Sequence, residues 1–305
     1  MKVTIIGGAG GMGRWFAVFF KENGIEVLIV DKDEHTEKIA KQIGVQFLNT
    51  DILNEEEIVD TDVLLISVPI DITERVIERV APKMRKGSLL MDITSVKKMP
   101  LETMERCTNE AVEILGTHPL FGPSTKSLQG QTIIFVPSRK GQLYELLYEL
   151  FKSNGARIEF LTAEEHDEIL SVILGLTHFI LISFGITLKK LDFDVEGSRK
   201  YMNPTFEILM DFVGRHLHQD PHLYAMIQTN FEMGKIHETF VTVADRLCEL
   251  VSTGNVEGFM AEMRAAKEHF GVTEEAMRDS DRVIEEKINQ NLFLERRALA
   301  KKKSR

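Results

Sequence analysis

The chain begins Lys2-Val-Thr-Ile-Ile6, continues Gly7-Gly-Ala-Gly-Gly-Met-Gly13, and follows with Arg14-Trp-Phe-Ala-Val-Phe-Phe20. An apolar run, a glycine-rich turn and a helical stretch stand in that order. Gly8, Gly10 and Gly13 fit the spacing G-x-G-x-x-G, and a second apolar run, Ile25-Glu-Val-Leu-Ile-Val30, ends at Asp31. Strand, turn, helix and strand predict the opening of a doubly wound parallel sheet. In that setting Gly8 permits the tight turn, Gly10 lets backbone approach a pyrophosphate, and Gly13 lets the helix lie close on the strand. The helix N-terminus, with its unpaired N–H groups, faces the phosphates. Gly11 and Met12 belong to the same cofactor-binding turn. Asp31 is placed to accept hydrogen bonds from an adenosine ribose, which favours NAD; Lys32 beside it would suit the 2′-phosphate of NADP. An Asp after a strand also serves as a simple turn cap.

Composition narrows the class. A chain of 305 residues suggests about two domains. Its 43% apolar content is enough for sizeable cores. The net charge of −10 argues against nucleic acid as the main partner, and the basic tail Lys301–Arg305 is expected to be simply solvated. Cys107 and Cys248 give neither a disulfide framework nor metal-ligand spacing. With a strand beginning at residue 2 in place of a leader, a cytoplasmic protein is expected. One stretch, Ile169 to Leu188, has no Asp, Glu, Lys or Arg and is long enough to span a membrane. It contains Gly175, Gly185 and His178 and follows a nucleotide-binding pattern. It is therefore expected to be the central helix of a bundle or dimer core, with no membrane partner.

Up to about residue 160, apolar runs alternate with helical stretches. The runs are Lys2–Ile6, Ile25–Val30, Val45–Leu48, Val63–Ser67, Ser88–Asp92, Ala111–Leu115, Gln131–Val136 and Ala156–Leu161. This predicts a mostly parallel sheet with helices on its faces; the orientation of the last strands is left open. Thr162-Ala-Glu-Glu165 matches a capping box, and no convincing strand follows it. Helices are expected near 164–190, 198–217, 221–234, 236–252, 255–270 and 273–291. The fold class is α/β: a Rossmann-like domain over 1–162, then an all-helical domain over 163–305.

Ligands of such sheets bind beyond the carboxyl ends of the strands. Three expected loops lie there: Val68-Pro69-Ile70, Ile93-Thr-Ser-Val-Lys97, and Gly116-Thr-His-Pro-Leu-Phe-Gly-Pro123. Val68 and Pro69 are taken as cofactor neighbours. His118 is the acid–base candidate, since imidazole titrates near neutrality. Ser95 could fix its tautomer or bind a substrate hydroxyl. The plainer alternatives are a turn cap for His118 and a helix cap for Ser95.

Taken together, these segments resemble the prephenate dehydrogenase family. The pieces that carry the resemblance are Gly7–Gly13, Ser67-Val-Pro69, Asp92–Lys97, Gly116–Pro123, Gly155-Ala-Arg157, Glu165-His-Asp167, Leu176-Thr-His-Phe179 and Val213–Pro221. The pattern is especially similar to the dehydrogenase half of enzymes fused to chorismate mutase. The resemblance implies oxidative decarboxylation of prephenate to 4-hydroxyphenylpyruvate with NAD, in tyrosine biosynthesis. It implies that His118 takes the proton of the ring hydroxyl, Ser95 binds that hydroxyl and orients His118, and Arg215 pairs with the ring carboxylate. Lys97 and His178 match positions lining the family's substrate pocket, and family members are homodimers through the helical domain. Some relatives carry an Arg where this chain has Glu207, which puts a second arginine's role in doubt.

Taken alone, the helical-domain residues read more plainly. Arg215 lies in a polar stretch and would be a surface arginine. His178 would be a satisfied core histidine, and His166-Asp167 would be first-turn chemistry at the positive end of a helix. His216, His218 and His222 do not share one helical face, so no metal is expected. Arogenate dehydrogenase is the nearest alternative activity. A 3-hydroxyacid dehydrogenase would need a lysine four residues after a glycine, where this chain reads Gly175-Leu-Thr-His-Phe179. A non-enzymatic NAD sensor would not need His118, Ser95 and Arg215 together.

Overall fold

A computed structural model describes residues 1–50, 56–230 and 232–303; the charged tail Lys301–Arg305 falls outside the described side chains. The first half of the chain alternates strand and helix. In order it runs β1 (Lys2–Ile6), α1 (Gly11–Glu22), β2 (Glu26–Asp31), α2 (Thr36–Ile43), β3 (Gln46–Asn49), the short α3 (Glu56–Val59) and β4 (Val63–Ile66). It continues through α4 (Ile70–Val80), β5 (Leu89–Asp92), α5 (Lys98–Cys107), β6 (Glu113–Pro119), β7 (Thr132–Arg139), α6 (Gln142–Ser153) and β8 (Arg157–Phe160).

The eight strands form one sheet in the order β3-β2-β1-β4-β5-β6-β7-β8. All neighbours are parallel except β6 and β7, which run antiparallel. The chain turns back on itself between β1 and β4, which makes their carboxyl ends a switch point where ligands bind. Strands buried on both faces read as unbroken apolar runs. Accordingly Val3, Ile5, Leu65, Met91 and Phe135 pack with Phe16, Phe20 and Phe151 on one face. Ile6, Leu64, Ile66, Leu90 and Ile114 pack with Val76, Ile77, Val80 and Met104 on the other.

Strand β6 corrects one expectation. The segment from Gly116 was expected to leave the sheet as a loop, but the strand continues through Pro119, with His118 opposite Ile134 of β7. The antiparallel partner supplies the hydrogen bonds that hold those residues extended.

The second half is helical. It comprises α7 (Ala163–Leu170), a π-helical segment (Ser171–Leu176), α8 (Thr177–Lys190), α9 (Pro204–Leu217), α10 (Pro221–Asn230), α11 (Gly234–Ser252), α12 (Val256–Phe270) and α13 (Thr273–Lys303). The capping box forms as expected: Glu165 N–H donates to Thr162 Oγ1 at 3.2 Å, and Thr162 N–H to Glu165 Oε2 at 2.8 Å. The expected helix 198–217 instead begins at Pro204, because Asn203 caps it by accepting from Phe206 N–H at 2.8 Å. A separate 3-10 turn covers Arg199–Tyr201. Helix α13 runs past the expected end at residue 291.

The chain forms two compact units: Met1–Ile173 with His222–Glu232, and Leu174–Pro221 with the chain from Met233 onward. Within the second unit α8 packs along α9. A Cβ on Gly185 would lie 2.9 Å from Leu217 Cδ1 and 3.2 Å from Val213 Cγ1, so glycine permits the close approach. The helical run Ala163–Lys190 has a mean hydropathy of 2.3 in its apolar window, yet only 17% of that window is buried. Most of the expected central helix is half-buried or exposed within one chain.

Candidate active site

The glycine turn is shaped by contacts on every side. Gly7 adopts φ +82°, a left-handed conformation, and a Cβ there would collide with the Ser67 carbonyl oxygen. The positive φ of the turn falls on Gly7, a residue given no role from the sequence. Gly8 is required instead by packing: its Cβ would sit 2.5 Å from Ile29 Cβ on β2. Gly13 keeps its expected role, because a Cβ would strike the Gly7 carbonyl and lift α1 off β1. Gly10, the N-cap of α1, would meet only the Gly7 carbonyl oxygen at 3.2 Å. That leaves an open approach to the first turn of α1, where N–H groups lack helical partners. The residues present therefore fit the diphosphate of a dinucleotide.

Val68 and Pro69 lie beside this cradle; Val68 Cγ1 would be 3.1 Å from a Gly7 Cβ, and Pro69 is the N-cap of α4. Met12 is half-buried at the start of α1. Asp31, at the end of β2, accepts from Ala9 N–H at 2.9 Å and from Asp33 N–H at 3.2 Å. Its carboxylate braces the glycine turn while keeping lone pairs for a ribose hydroxyl.

The segment after β6 reaches the same place. Pro123 Cγ would be 3.1 Å from a Cβ on Gly11, and the Phe121 ring lies 4.9 Å from Trp15 on α1. A cavity of about 750 Å³ opens on the outer side of this contact, lined by Arg14, Trp15, Phe19, Thr125 and Lys126 among others. It contains none of Asp31, Ser95 or His118 and is not the reaction centre.

His118 is 5% exposed, and its Nδ1 lies 2.8 Å from Nε2 of His166 on α7. His166 Nδ1 lies 2.7 Å from Asp167 Oδ1. Asp167 also accepts from the backbone N–H of Lys97 at 2.8 Å and of Lys98 at 3.0 Å, at the start of α5. Burial, reinforced by the His166 and Lys97 charges, holds the His118 pKa well below the usual imidazole range. Burial likewise lowers His166, although the Asp167 hydrogen bond opposes it. Burial would raise Asp167, but hydrogen bonds from His166 and from the Lys98 and Lys97 N–H groups outweigh it and leave the carboxyl low. His118 is thus neutral at physiological pH, the form a general base requires.

The Lys97 side chain is buried and ion-paired with Asp92, which also accepts from Thr94 Oγ1 and, at 2.9 Å, from Thr94 N–H. The ammonium is held by Asp92 and, at 3.1 Å, by Thr94 Oγ1. Burial lowers the Lys97 pKa against the pull of Asp92. Asp92 O in turn accepts from Thr117 Oγ1 at 2.5 Å, tying this loop to the residue before His118. Ser95 sits half-buried in the loop, but the Nδ1 partner of His118 is His166, so the expected Ser95–His118 bond at that nitrogen does not form. His166, Asp167 and Asp92 are the residues that sequence reasoning did not assign. The Glu165-His-Asp167 block was the available signal, since an acid adjoining a histidine can fix its tautomer.

In the second unit, Arg215 is exposed on α9. The ring of His178 lies 5.1 Å from that of the adjacent His216. Burial and the His216 charge push the His178 pKa down to about 4. Glu207 accepts from Asn291 at 2.7 Å, joining α9 to α13. Among the described residues no group of three His, Cys, Asp or Glu is arranged to hold a metal.

Sheet order and glycine cradle together define a Rossmann-like dinucleotide-binding domain. The nucleotide-binding-domain model of prephenate dehydrogenase matches residues 16–160, and the prephenate dehydrogenase dimerization-domain model matches residues 162–265. The chain is 30% identical over 271 residues to the T-protein of Enterobacter agglomerans, covering 88% of this chain and 67% of that one. It is 41% identical over 276 residues to a probable arogenate/prephenate dehydrogenase of Methanocaldococcus jannaschii, covering 89% of this chain and 61% of that relative. The fold matches the crystal structure of prephenate dehydrogenase from A. aeolicus, with a TM-score of 0.69 at 19% identity, covering 88% of this chain and 96% of that one. The chain belongs to the prephenate dehydrogenase family.

Proposed function

We propose that the protein is an NAD-dependent prephenate dehydrogenase, converting prephenate to 4-hydroxyphenylpyruvate and CO₂ on the route to tyrosine. The observation that carries this reading is a buried, neutral His118 reached by the same segment that touches the glycine cradle. Bound NAD+ would supply the acceptor for the hydride leaving C4. His118 Nε2 takes the proton of the C4 hydroxyl, so the oxygen's bonding pair forms the C4 carbonyl. The C1–carboxylate bond then breaks, its electron pair enters the ring, and the phenolate oxygen recovers the proton from His118. Aromaticity makes the step irreversible. Ser95 binds the C4 hydroxyl. Arg215 pairs with the ring carboxylate through its planar fork, and His178 lies in the same helical neighbourhood. Holding C4 against the dinucleotide is a positioning task worth several kcal/mol.

Asp31, followed by Asp33 and the exposed Glu34, supports NAD over NADP, since these carboxylates would repel a 2′-phosphate. The A. aeolicus enzyme of similar fold was crystallised with NAD+. The helical unit is proposed to form a homodimer. Its apolar side chains Ile180, Ile186, Phe212 and Leu217, on the adjacent helices α8 and α9, are 38–54% exposed and available to such an interface. α8, which carries Ile180 and Ile186, is proposed as part of that interface. The free thiols of Cys107 and Cys248 suit a reducing cytoplasm.

Purified protein given prephenate and NAD+ is expected to produce the ultraviolet absorbance of reduced nicotinamide and one CO₂ per turnover. Parallel reactions with arogenate, and with NADP+, should be slower. Absence of turnover with both substrates and both dinucleotides would sink the enzyme assignment; faster arogenate turnover would replace the substrate.

A further inference from the structure

We propose that His166 and Asp167 are positioning residues that hold His118 as its Nδ1–H tautomer and so direct the bare Nε2 toward the substrate proton. The proposal rests on His118 serving as the base. It follows from hydrogen-bond logic along a buried chain of three side chains. An ionised carboxylate can only accept, so Asp167 Oδ1 requires the proton of His166 to sit on Nδ1, 2.7 Å away. His166 Nε2 is then an acceptor, and at 2.8 Å it requires a proton on His118 Nδ1. A neutral His118 protonated at Nδ1 has its lone pair on Nε2. The tautomer of the base is therefore selected two side chains away.

The anchor of the chain is itself fixed. The N–H groups of Lys97 and Lys98 both donate to Asp167, placing the carboxylate at the positive end of the ten-residue helix α5. His166 is fully buried, so water does not compete for its two nitrogens. The titratable groups around His118 are the neutral His166 and the ionised Asp167 from α7, Lys97 before α5, and Asp92 at the end of β5. Lys97 and Asp92 neutralise one another, which leaves Asp167 as the net charge acting along the chain. When His118 gains the substrate proton, its Nδ1–H still donates to His166 Nε2. His166 still donates to Asp167, which stays ionised. No proton leaves the chain, and the new cation on His118 is stabilised through one imidazole.

The direct test is two-bond ¹H–¹⁵N spectroscopy of histidine-labelled protein with NAD+ bound, at neutral pH. His118 and His166 are both expected to be protonated at Nδ1 and bare at Nε2. A His118 protonated at Nε2 overturns the proposal without any variant having to fold. Kinetics give the second test. His166→Phe removes the acceptor and should lower kcat about 10²-fold with KM little changed, the signature of an interaction used in the transition state. His166→Gln offers an oxygen to His118 Nδ1 and should restore much of that loss. Equal losses in the Phe and Gln variants, or a KM change without a kcat change, overturn the proposal. His118→Asn separates the two assignments. If it retains the parent rate, the base assignment fails; if it is inactive while His166→Phe keeps full kcat, only the relay fails.

Discussion

In the sheet unit, every residue of β4 and β5 is buried, and so is every residue of β1 after Lys2. In the helical unit, Leu181, Val213, Met233 and Leu250 are the buried large hydrophobics among the described residues. Around them Leu191, Phe212, Val251, Met263, Phe270 and Met277 are each more than half exposed. The two units have similar kinds of apolar side chains but treat them differently. A sheet covered on both faces closes its own core, because each strand presents side chains to both layers. A set of helices closes only where its apolar stripes meet, and here many stripes meet nothing within one chain. The first unit is complete as a folded object. The second leaves apolar side chains uncovered, which is why its completion by another copy is proposed.

The comparison can be broken most sharply at His118, which belongs wholly to the complete unit. His118→Asn should lower kcat by about 10²–10⁴-fold, the usual worth of a general base, while calorimetry finds dinucleotide binding unchanged. Loss of dinucleotide binding instead would show that the imidazole supports the fold of the unit. The next largest effect should come from the incomplete unit. Ile180→Glu combined with Ile186→Glu places charges on α8, and analytical ultracentrifugation should find self-association weakened by roughly 10²-fold or more. An unchanged sedimentation profile would remove α8 from the proposed interface. Arg215→Gln should raise KM for prephenate by about tenfold or more, from loss of a charge-assisted hydrogen bond worth about 1.5–3 kcal/mol. An unchanged KM would remove Arg215 from the carboxylate site.

Acid should produce the smallest effect, and in both units. His178 has a native pKa of about 4 against about 6.5 when unfolded, and His118 and His166 are lowered in the same direction. The native state then binds fewer protons than the unfolded chain. Stability is complete above pH ~6.5 and falls as the pH drops through the window toward the native values. Thermal melts across that range should show this slope, and His178→Gln should flatten part of it. For the same reason kcat/KM should hold level around neutrality and fall only on the acid side, below the lowered His118 pKa.

Much of the molecule was legible before any coordinates. All eight apolar runs became strands: burial on both faces leaves an unbroken pattern in inner strands such as β4 and β5, whereas the edge strands β3 and β8 are mostly exposed. Gly13 was read correctly because the contact it relieves, with Gly7, is only six positions away. Gly7 was not, because its constraint comes from Ser67, across the switch point of the sheet. His118 was found by its chemistry, but its partner was not, because His166 is 48 positions distant. The ion pair of Lys97 with Asp92 was not legible, because the match of one side chain to the other depends on how the loop after β5 folds back.

Sequence by itself determined the alternation of strands and helices, the glycine cradle and the presence of a titratable base near a strand end. Those depend on local periodicity, on backbone sterics and on the intrinsic pKa of imidazole. Tertiary structure alone decided that the Gly116–Pro119 segment stays in the sheet, that Lys97 is buried as half of an ion pair, and that Asp167 reaches His118 through His166. Each of these depends on desolvation and on hydrogen bonds between residues far apart in the chain, and neither quantity exists until the chain has folded.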